Sequence, residues 1–267
     1  MLLDTHCHLD AAEFAPDRDQ VIQRAESAGV GCIVIPAVEV SNFETVRTLA
    51  HSFSQGAYAL GIHPMYVAHA EEDALDRLRD ALITHRTDSK LIAVGEIGLD
   101  FFMPLISQGA ARQKQERFFL AQLELAREFN LPVLLHVRKS QDVILKYLRR
   151  SKVQGGIAHA FNGSFQQAEL FISLGFALGI GGAMTYTRAL QIRRLATEIS
   201  LESLVLETDA PDIAPDWMTE HLRNEPGEVA RIAQVLAGLR GISSKDLIQA
   251  TGETALRVCP RLSALLS

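Results

Sequence analysis

Short apolar runs alternate with longer amphipathic runs along the whole chain, and this alternation limits the possible folds more than any other feature of the sequence. Each apolar run is short and is apolar on both of its faces, which is typical of strands in a parallel sheet that is covered on both sides. The predicted strands are Leu2–Leu9, Cys32–Val38, Ala57–Ile62, Leu91–Ile97, Pro132–Val137, Gly156–Phe161, Phe176–Gly181 and Leu204–Thr208.

The amphipathic runs predict helices, because their apolar residues recur with the helical period of about 3.6 residues. One such run follows each predicted strand, and a further helix follows the last of them. The predicted helices are Asp17–Ala28, Asn42–His51, Asp73–His85, Arg112–Phe129, Gln141–Arg150, Phe165–Leu174, Ala189–Ile199, Glu228–Leu239 and Ser244–Val258.

This order of elements predicts an α/β fold, a (β/α)8 TIM-type barrel with an additional C-terminal helix. An open doubly wound sheet is the alternative. The chain has 267 residues, and such barrels have roughly 250. We therefore expect a single domain over residues 1–267.

Composition narrows the classes of function. The net charge of −6 is the opposite of that expected for a basic nucleic-acid-binding protein. Cys7, Cys32 and Cys259 are scattered and form no C-x-x-C pair, which favours a reducing compartment over a disulfide framework. We see no signal peptide and no apolar run near the roughly 20 residues of a membrane span. We expect a cytoplasmic monomer without a membrane partner.

The first predicted strand carries two histidines with strand spacing. His6 and His8 point to the same side of a strand, because side chains alternate between its faces. Two such imidazoles can bind one metal ion, although an isolated H-x-H pair is more often an ordinary pair of core or surface histidines. Asp4 shares their parity and is expected to orient a ligand, whereas Cys7 points the other way and is expected to pack.

Ionisable residues also stand at the carboxyl ends of other predicted strands. A single histidine there is usually a hydrogen-bonded core residue. Several buried carboxylates at one barrel mouth, however, need a compensating cation. The candidate metal ligands are His6, His8, Glu96, His136, His159 and Asp209.

Six candidate ligands are more than one tetrahedral zinc ion requires. Glu96 could bridge two divalent ions, so we count it among the catalytic residues. The mixed imidazole and carboxylate set suits Zn, Mn, Ni or Mg and selects none of them.

The chain resembles the TatD family of metal-dependent hydrolases and deoxyribonucleases, whose barrels are related to the amidohydrolases. The motifs stand in the family's order over nearly the whole chain, and together they are highly specific. They are Asp4–Asp10, Gly61–Pro64, Gly95–Asp100, Leu131–Arg138, His159–Gly163, Gly181–Tyr186, Leu206–Pro211 and Arg223–Pro226.

The resemblance implies two metal ions. One is held by His6, His8, Glu96 and Asp209, and the second by Glu96, His136 and His159. It further implies that His63 lines the site without binding metal. It also implies that the activity is deoxyribonuclease or 3'-5' exonuclease activity. Asn162 stands where the family often has Ser or Thr, which predicts a changed substrate contact and an intact metal site.

The predicted mechanism is attack on phosphorus or a carbonyl carbon by a water whose pKa the ions lower. Asp209 accepts the proton from that water, and His63 donates a hydrogen bond to the developing charge. Candidate phosphate contacts are Arg138, Tyr186, Arg188 and Arg223. Asn224 with Glu225 is a candidate helix cap, and Glu207 is expected to orient a ligand.

Three functions remain open. The first is cleavage of nucleic-acid ends or short single strands, because a net acidic protein is poorly suited to long duplex DNA. The second is an amidase, a lactonase or a deacylase acting on an aminoacyl ester, since the same residues serve either electrophile. A binding protein with a vestigial site is the third, which the full set of candidate ligands disfavours.

Overall fold

The computed structural model describes residues 1–218 and 223–265. Within these residues, eight parallel strands form one sheet in the order β1 to β8. The strands are β1 (Leu2–Asp4), β2 (Val30–Pro36), β3 (Gly56–Leu60), β4 (Leu91–Asp100), β5 (Val133–Arg138), β6 (Gly156–Ala158), β7 (Phe176–Ile180) and β8 (Leu204–Leu206).

The last strand closes on the first through backbone hydrogen bonds. The amide of Thr5 donates to the carbonyl of Leu206 at 3.0 Å, and the amide of Asp209 donates to the carbonyl of His6 at 2.8 Å. These bonds leave no open edge between β1 and β8. The TIM-type barrel is therefore confirmed, and the open doubly wound alternative is wrong.

All of the predicted helices form, and one short helix was not expected. The unpredicted helix follows β3, where His63 is the N-cap and Pro64 the first residue, an arrangement that favours a helix start. The helices are α1 (Arg18–Ser27), α2 (Phe43–His51), α3 (Pro64–Val67), α4 (Ala74–Thr84), α5 (Gly109–Glu128), α6 (Gln141–Ser151), α7 (Phe165–Ser173), α8 (Leu190–Glu198), α9 (Val229–Arg240) and α10 (Ser244–Val258).

None of the helices in the described part of the chain has both the length and the apolar content that crossing a bilayer requires.

The two ends of the barrel differ. We call the carboxyl ends of the strands the mouth and the amino ends the floor. The floor is closed by α10 and the short 3-10 helix Pro260–Leu265, whose Val258, Cys259 and Leu262 pack with side chains from inside the barrel such as Leu3 and Cys32. A larger apolar cluster lies between the sheet and the outer helices.

Several strands end earlier than predicted, and the first shows why. β1 stops at Asp4, so His6 and His8 lie on the segment after it. Beyond Asp4 the backbone pairs alternately with two neighbours, because the amide of Thr5 binds Leu206 of β8 and that of Cys7 binds Val34 of β2. The segment stays extended between both neighbours without forming a continuous ladder.

Candidate metal centre

Glu96 lies at the centre of the mouth, and each of its two carboxylate oxygens faces a different group of imidazoles. Oε2 lies 3.1 Å from Nε2 of His6 and 3.5 Å from Nε2 of His8. Oε1 lies 3.0 Å from Nδ1 of His136, 3.1 Å from Nε2 of His159 and 3.3 Å from Nε2 of His63. The single carboxylate thus contacts imidazoles from four other segments of the barrel.

Asp209 completes the group around Oε2 of Glu96. Its Oδ1 lies 3.6 Å from Nε2 of both His6 and His8. Asp209 has a φ of +56°, a left-handed conformation that aspartate tolerates better than most residues. Its side chain is 14% exposed, so this carboxylate opens toward the mouth, whereas Glu96 is almost completely enclosed.

Further carboxylates lie behind two of these imidazoles. Nε2 of His136 contacts Oδ2 of Asp100 at 3.1 Å. Oε1 of Glu207 accepts the amide of Ala160 at 2.5 Å and lies 3.8 Å from Nδ1 of His159. A carboxylate behind a histidine is the usual way to fix the tautomer of a metal ligand.

Asp4 acts on the backbone instead of on a ligand ring. Its Oδ1 accepts the amides of His6 and Thr208, and its Oδ2 accepts the Thr208 hydroxyl at 2.6 Å. The expected orientation of a metal ligand by Asp4 therefore takes this indirect form, since it ties the segment after β1 to the segment after β8. Cys7 is buried in the apolar cluster outside the barrel, as its parity indicates.

Two glycines make room for these side chains. A Cβ on Gly179 would overlap the carboxylate of Glu207. Gly98 has a φ of +152°, and a Cβ there would overlap the carbonyl of His136. The glycine-rich run Gly179–Gly182 thus gives space to Glu207, which is a packing role and not phosphate binding.

The environment shifts the pKa values of these groups in opposite directions. Burial lowers the pKa of His6 to about 3 and that of His63 to about 4, so both rings are neutral at pH 7. Burial raises the pKa of Asp209 to about 6. Burial also opposes ionisation of Glu96, but the imidazoles that surround its carboxylate outweigh burial and hold its pKa well below the usual range.

The donor set fits a bound cation. Three groups of donor atoms each lie within 4.8 Å of one another: His6, His8 and Asp209; His6, Glu96 and His159; and His63, Glu96 and His136. Ligands about 2.0–2.1 Å from a tetrahedral zinc ion would be separated by roughly 3.3 Å. The contacts of 3.0–3.6 Å that the imidazoles make with Glu96 and Asp209 have that spacing.

The protonation of His136 also indicates that a cation fits this site. Both of its ring nitrogens face carboxylate oxygens, which cannot donate, so without a cation the ring needs two protons. Burial disfavours that charge, but the hydrogen bonds to Asp100 and Glu96 raise the pKa of His136. A cation between Nδ1 and Glu96 would need only the proton on Nε2.

His63 differs from the other imidazoles. Its Nδ1 accepts the amide of Met65 at 3.2 Å, so in the neutral ring the proton is on Nε2. Nε2 then donates to Glu96 instead of offering a lone pair to a metal ion. This contact agrees with the prediction that His63 lines the site, and the assignment itself stays a prediction.

The four predicted phosphate contacts lie in different settings. Arg138 is half exposed at the mouth, with its guanidinium 3.9 Å from Oδ2 of Asp100. Tyr186 and Arg188 line an open cavity of about 510 Å³ after β7, where the Tyr186 hydroxyl donates to Ala214 at 3.1 Å. Arg223 binds both carboxylate oxygens of Asp17 at 2.7 and 2.9 Å.

Arg223 makes two contacts within the protein. It forms the ion pair with Asp17, and its guanidinium stacks on Phe14 at 4.4 Å from the ring centroid. The predicted phosphate contact of Arg223 stays a prediction. The predicted helix cap at Asn224 is corrected: its side-chain amide donates to the carbonyls of Thr208 and Asp212, and the N-cap of α9 is Glu228. Both residues fasten the segment after β8.

Sequence reasoning gave Asp100 no role, although it follows Glu96 and Gly98 at strand spacing. That spacing on a predicted strand was the available signal. Asn162, the predicted departure from the family pattern, is an exposed residue in the loop after β6.

Comparison with known proteins agrees with this geometry. A family model described as TatD related DNase matches residues 3–259. YjjV of Escherichia coli K12, an uncharacterised metal-dependent hydrolase, is 39% identical over 93% of each chain. Its crystal structure superimposes with a TM-score of 0.90 at 38% identity, covering 97% of this chain and 98% of YjjV.

Two further relatives carry names that state an activity. Human deoxyribonuclease TATDN3 is 31% identical over 99% of this chain and 97% of its own. The 3'-5' ssDNA/RNA exonuclease TatD of Shigella flexneri is 31% identical over 90% of this chain and 92% of its own.

Proposed function

The chain belongs to the family of TatD-related DNases, and from that membership we propose that it is a divalent-metal-dependent phosphodiesterase that removes nucleotides from the ends of single-stranded nucleic acid. One observation carries the proposal. Glu96 is a buried carboxylate whose two oxygens face two separate groups of imidazoles, which is the arrangement expected of a ligand that bridges two ions.

Two ions would be held at this site. His6, His8, Glu96 and Asp209 would hold one, and Glu96, His136 and His159 the other. When bound, divalent ions lower the pKa of a nearby water and neutralise charge on the phosphoryl oxygens. Zn, Mn, Ni and Mg all suit this set of nitrogen and oxygen donors.

Asp209 is the group that we assign to take the proton from the attacking water. It is the more exposed of the two central carboxylates. A carboxylate that faces the open side of a site can accept a proton from water as a general base.

His63 and Arg138 would stabilise the negative charge that develops on the phosphoryl oxygens. His63 is neutral at pH 7 and carries its proton on Nε2, the nitrogen that faces Glu96. With Glu96 engaged by the ions, that proton would be available to a phosphoryl oxygen. Arg138 supplies a planar guanidinium suited to a phosphate. Asp100 and Glu207 act through His136 and His159, so they are positioning residues.

The proposed substrate is a short or single-stranded nucleic acid. The Shigella relative is named for single-stranded DNA and RNA. The net charge of −6 counts against binding of long duplex DNA, for which a basic face is expected. We extend the proposal to a cytoplasmic enzyme, since the three cysteines are free and buried, and to a monomer.

The test is cleavage of 5'-labelled single-stranded DNA and RNA in the presence of Mg, Mn or Zn, with EDTA as the metal-free comparison. We expect shortening from the 3' end that EDTA abolishes. Asp209→Asn should remove turnover while ions still bind, and Asp212→Asn, an exposed aspartate on the same segment, is the matched control.

Hydrolysis of a carboxyl ester or amide with no cleavage of either nucleic acid would instead support the amidase, lactonase or deacylase alternative. Full activity of Asp209→Asn with metal bound would contradict the role of Asp209 as base.

A further inference from the structure

Exposed apolar side chains gather at the mouth. Nine large apolar residues are exposed among the described residues. Three of them, Met1, Ile83 and Ile242, lie away from the mouth. The other six stand on segments that follow the carboxyl ends of β3, β4, β7 and β8, and they are Met65, Tyr66, Phe102, Leu105, Leu190 and Ile213.

Phe102 differs from the other five by its partner. Its side chain is 52% exposed, and the guanidinium of Arg138 lies over its ring at 4.0 Å from the centroid. Arg138 is itself 48% exposed. An aromatic ring beside an arginine is the combination that binds single-stranded nucleic acid, because the ring stacks on a base and the cation faces a phosphate.

The position of Phe102 is fixed relative to the candidate metal centre. Oδ1 of Asp100 accepts the amides of Phe102 and Met103 at 2.8 and 3.1 Å, while its Oδ2 contacts His136 at 3.1 Å. One buried carboxylate thus holds both the aromatic ring's backbone and a candidate metal ligand.

The rest of this loop is anchored as well. The buried side chain of Gln115 on α5 accepts the amide of Asp100 at 3.0 Å and donates to the carbonyl of Ile106 at 2.7 Å. The loop between β4 and α5 therefore starts from a fixed backbone. An aromatic residue on such a loop keeps its place when the substrate arrives, so the ordering cost of binding is small.

We propose that Phe102 and Arg138 form a base-stacking platform that holds one of the last three nucleotides of a single strand beside the candidate metal centre. The inference rests on the proposed nuclease function and deepens it, because it assigns the recognition of the strand to a ring that reads no particular base. Stacking of a base on an aromatic side chain contributes about 5- to 150-fold in affinity.

The experiment crosses Phe102→Ala with abasic substrates. Oligonucleotides carry an abasic residue at the first, second or third position from the 3' end. We expect Phe102→Ala to lower kcat/KM on the normal strand by about 5- to 150-fold, mainly through KM. At one abasic position the wild type should lose the same factor, and Phe102→Ala should lose nothing further.

Phe102→Trp should retain activity on the normal strand. Leu105→Ala is the matched control, since Leu105 is on the same loop and is 89% exposed. A second measurement needs no turnover: in the Asp209→Asn background, 2-aminopurine at the critical position should be quenched on binding, and the added Phe102→Ala substitution should remove the quenching.

Losses that multiply at every abasic position, or a Phe102→Ala enzyme as active as wild type, would overturn the platform and leave the nuclease proposal standing. Absence of cleavage of every nucleic acid by metal-loaded wild type would overturn both. Losses that multiply at every abasic position would show that the Phe102 ring makes a contact other than base stacking.

Discussion

The mouth and the floor of the barrel share the same inward-facing rows of side chains but have opposite chemistry. On β5, β6 and β8 the apolar residues Leu134, Ile157 and Val205 lie in the inner cluster. Two residues further along each row stand His136, His159 and Glu207. Because side chains alternate between the faces of a strand, residues two positions apart point the same way. Each inward-facing row therefore changes from an apolar core residue to an ionisable residue of the site within two positions.

The difference also appears in what each end does with charge. Asp4, Glu96, Asp100 and Glu207 are each at most 1% exposed, although burying a carboxylate is costly. Near the floor, charged Lys90 stays at the rim and donates to the carbonyls of Ala50 and Phe53. The mouth therefore holds buried ionisable groups, and the floor contributes mainly stability.

The largest expected effect comes from the centre of the mouth. Glu96→Gln keeps the shape of the side chain but removes the charge that both groups of imidazoles face, so we expect kcat/KM to fall by at least about 10³-fold and metal binding to weaken. Nuclease assays and metal analysis by mass spectrometry measure the two effects.

Glu202→Gln, at an exposed position before β8, is the matched control and should change neither quantity. If Glu96→Gln retained both its metal and its activity, the mouth would not be organised around this carboxylate.

This contrast explains how much of the barrel the sequence alone predicted. The alternation of apolar and amphipathic runs was sufficient to locate all eight strands in order and to favour a closed barrel, but the open sheet was excluded only by the hydrogen bonds between the segments after β1 and β8. The positions of His136, His159 and Asp209 at the ends of predicted strands indicated that they would converge, because the strand ends of a barrel meet at one mouth. These are local patterns repeated along the chain, and the fold only brings them together.

The sequence did not predict which groups the polar side chains of the segment after β8 bind. Arg223 was predicted as a phosphate contact, but it binds Asp17, more than 200 residues earlier in the chain. A guanidinium looks the same in sequence whether it meets a carboxylate or a ligand. Asn224 was misassigned as a helix cap, since the carbonyls that it binds depend on the path of the segment after β8.

Removal of metal ions from the mouth should lower the thermal stability of the folded chain. Ions at about 1,000 times their Kd would stabilise the folded chain by about 4 kcal/mol, which corresponds to roughly 8–16 °C in Tm for a chain of this size. Differential scanning fluorimetry with and without EDTA measures it. A Tm that does not move would mean that the buried carboxylates are compensated without a cation.

A substitution at the floor should lower stability and leave activity unchanged. Leu262 is fully buried in the inner cluster, so Leu262→Ala is expected to lower the free energy of unfolding by about 2–4 kcal/mol while kcat and KM stay unchanged. Urea denaturation gives the first quantity and nuclease kinetics the second. A large fall in kcat per folded molecule would show that the floor is coupled to the mouth.

The smallest expected effect concerns a carboxylate at the rim of the floor. Oδ2 of Asp88 accepts the Tyr58 hydroxyl at 2.9 Å and contacts Nε2 of His51 at 2.8 Å. Burial opposes its ionisation, but the hydrogen bonds with His51, the Lys90 amide and Tyr58 lower the pKa of Asp88 below its usual value of 3.8.

A lowered carboxyl pKa stabilises the fold above the unfolded pKa, and that stability is lost as the pH falls through the folded pKa. Asp88→Asn keeps the acceptor oxygen and removes the charge, so we expect a loss of about 0.5–1 kcal/mol at pH 7 that disappears below the folded pKa, with no change in kcat. Urea titrations between pH 7 and pH 2 provide the comparison. A difference that persisted at the acid end would come from lost packing, and the charge would then contribute nothing to the floor.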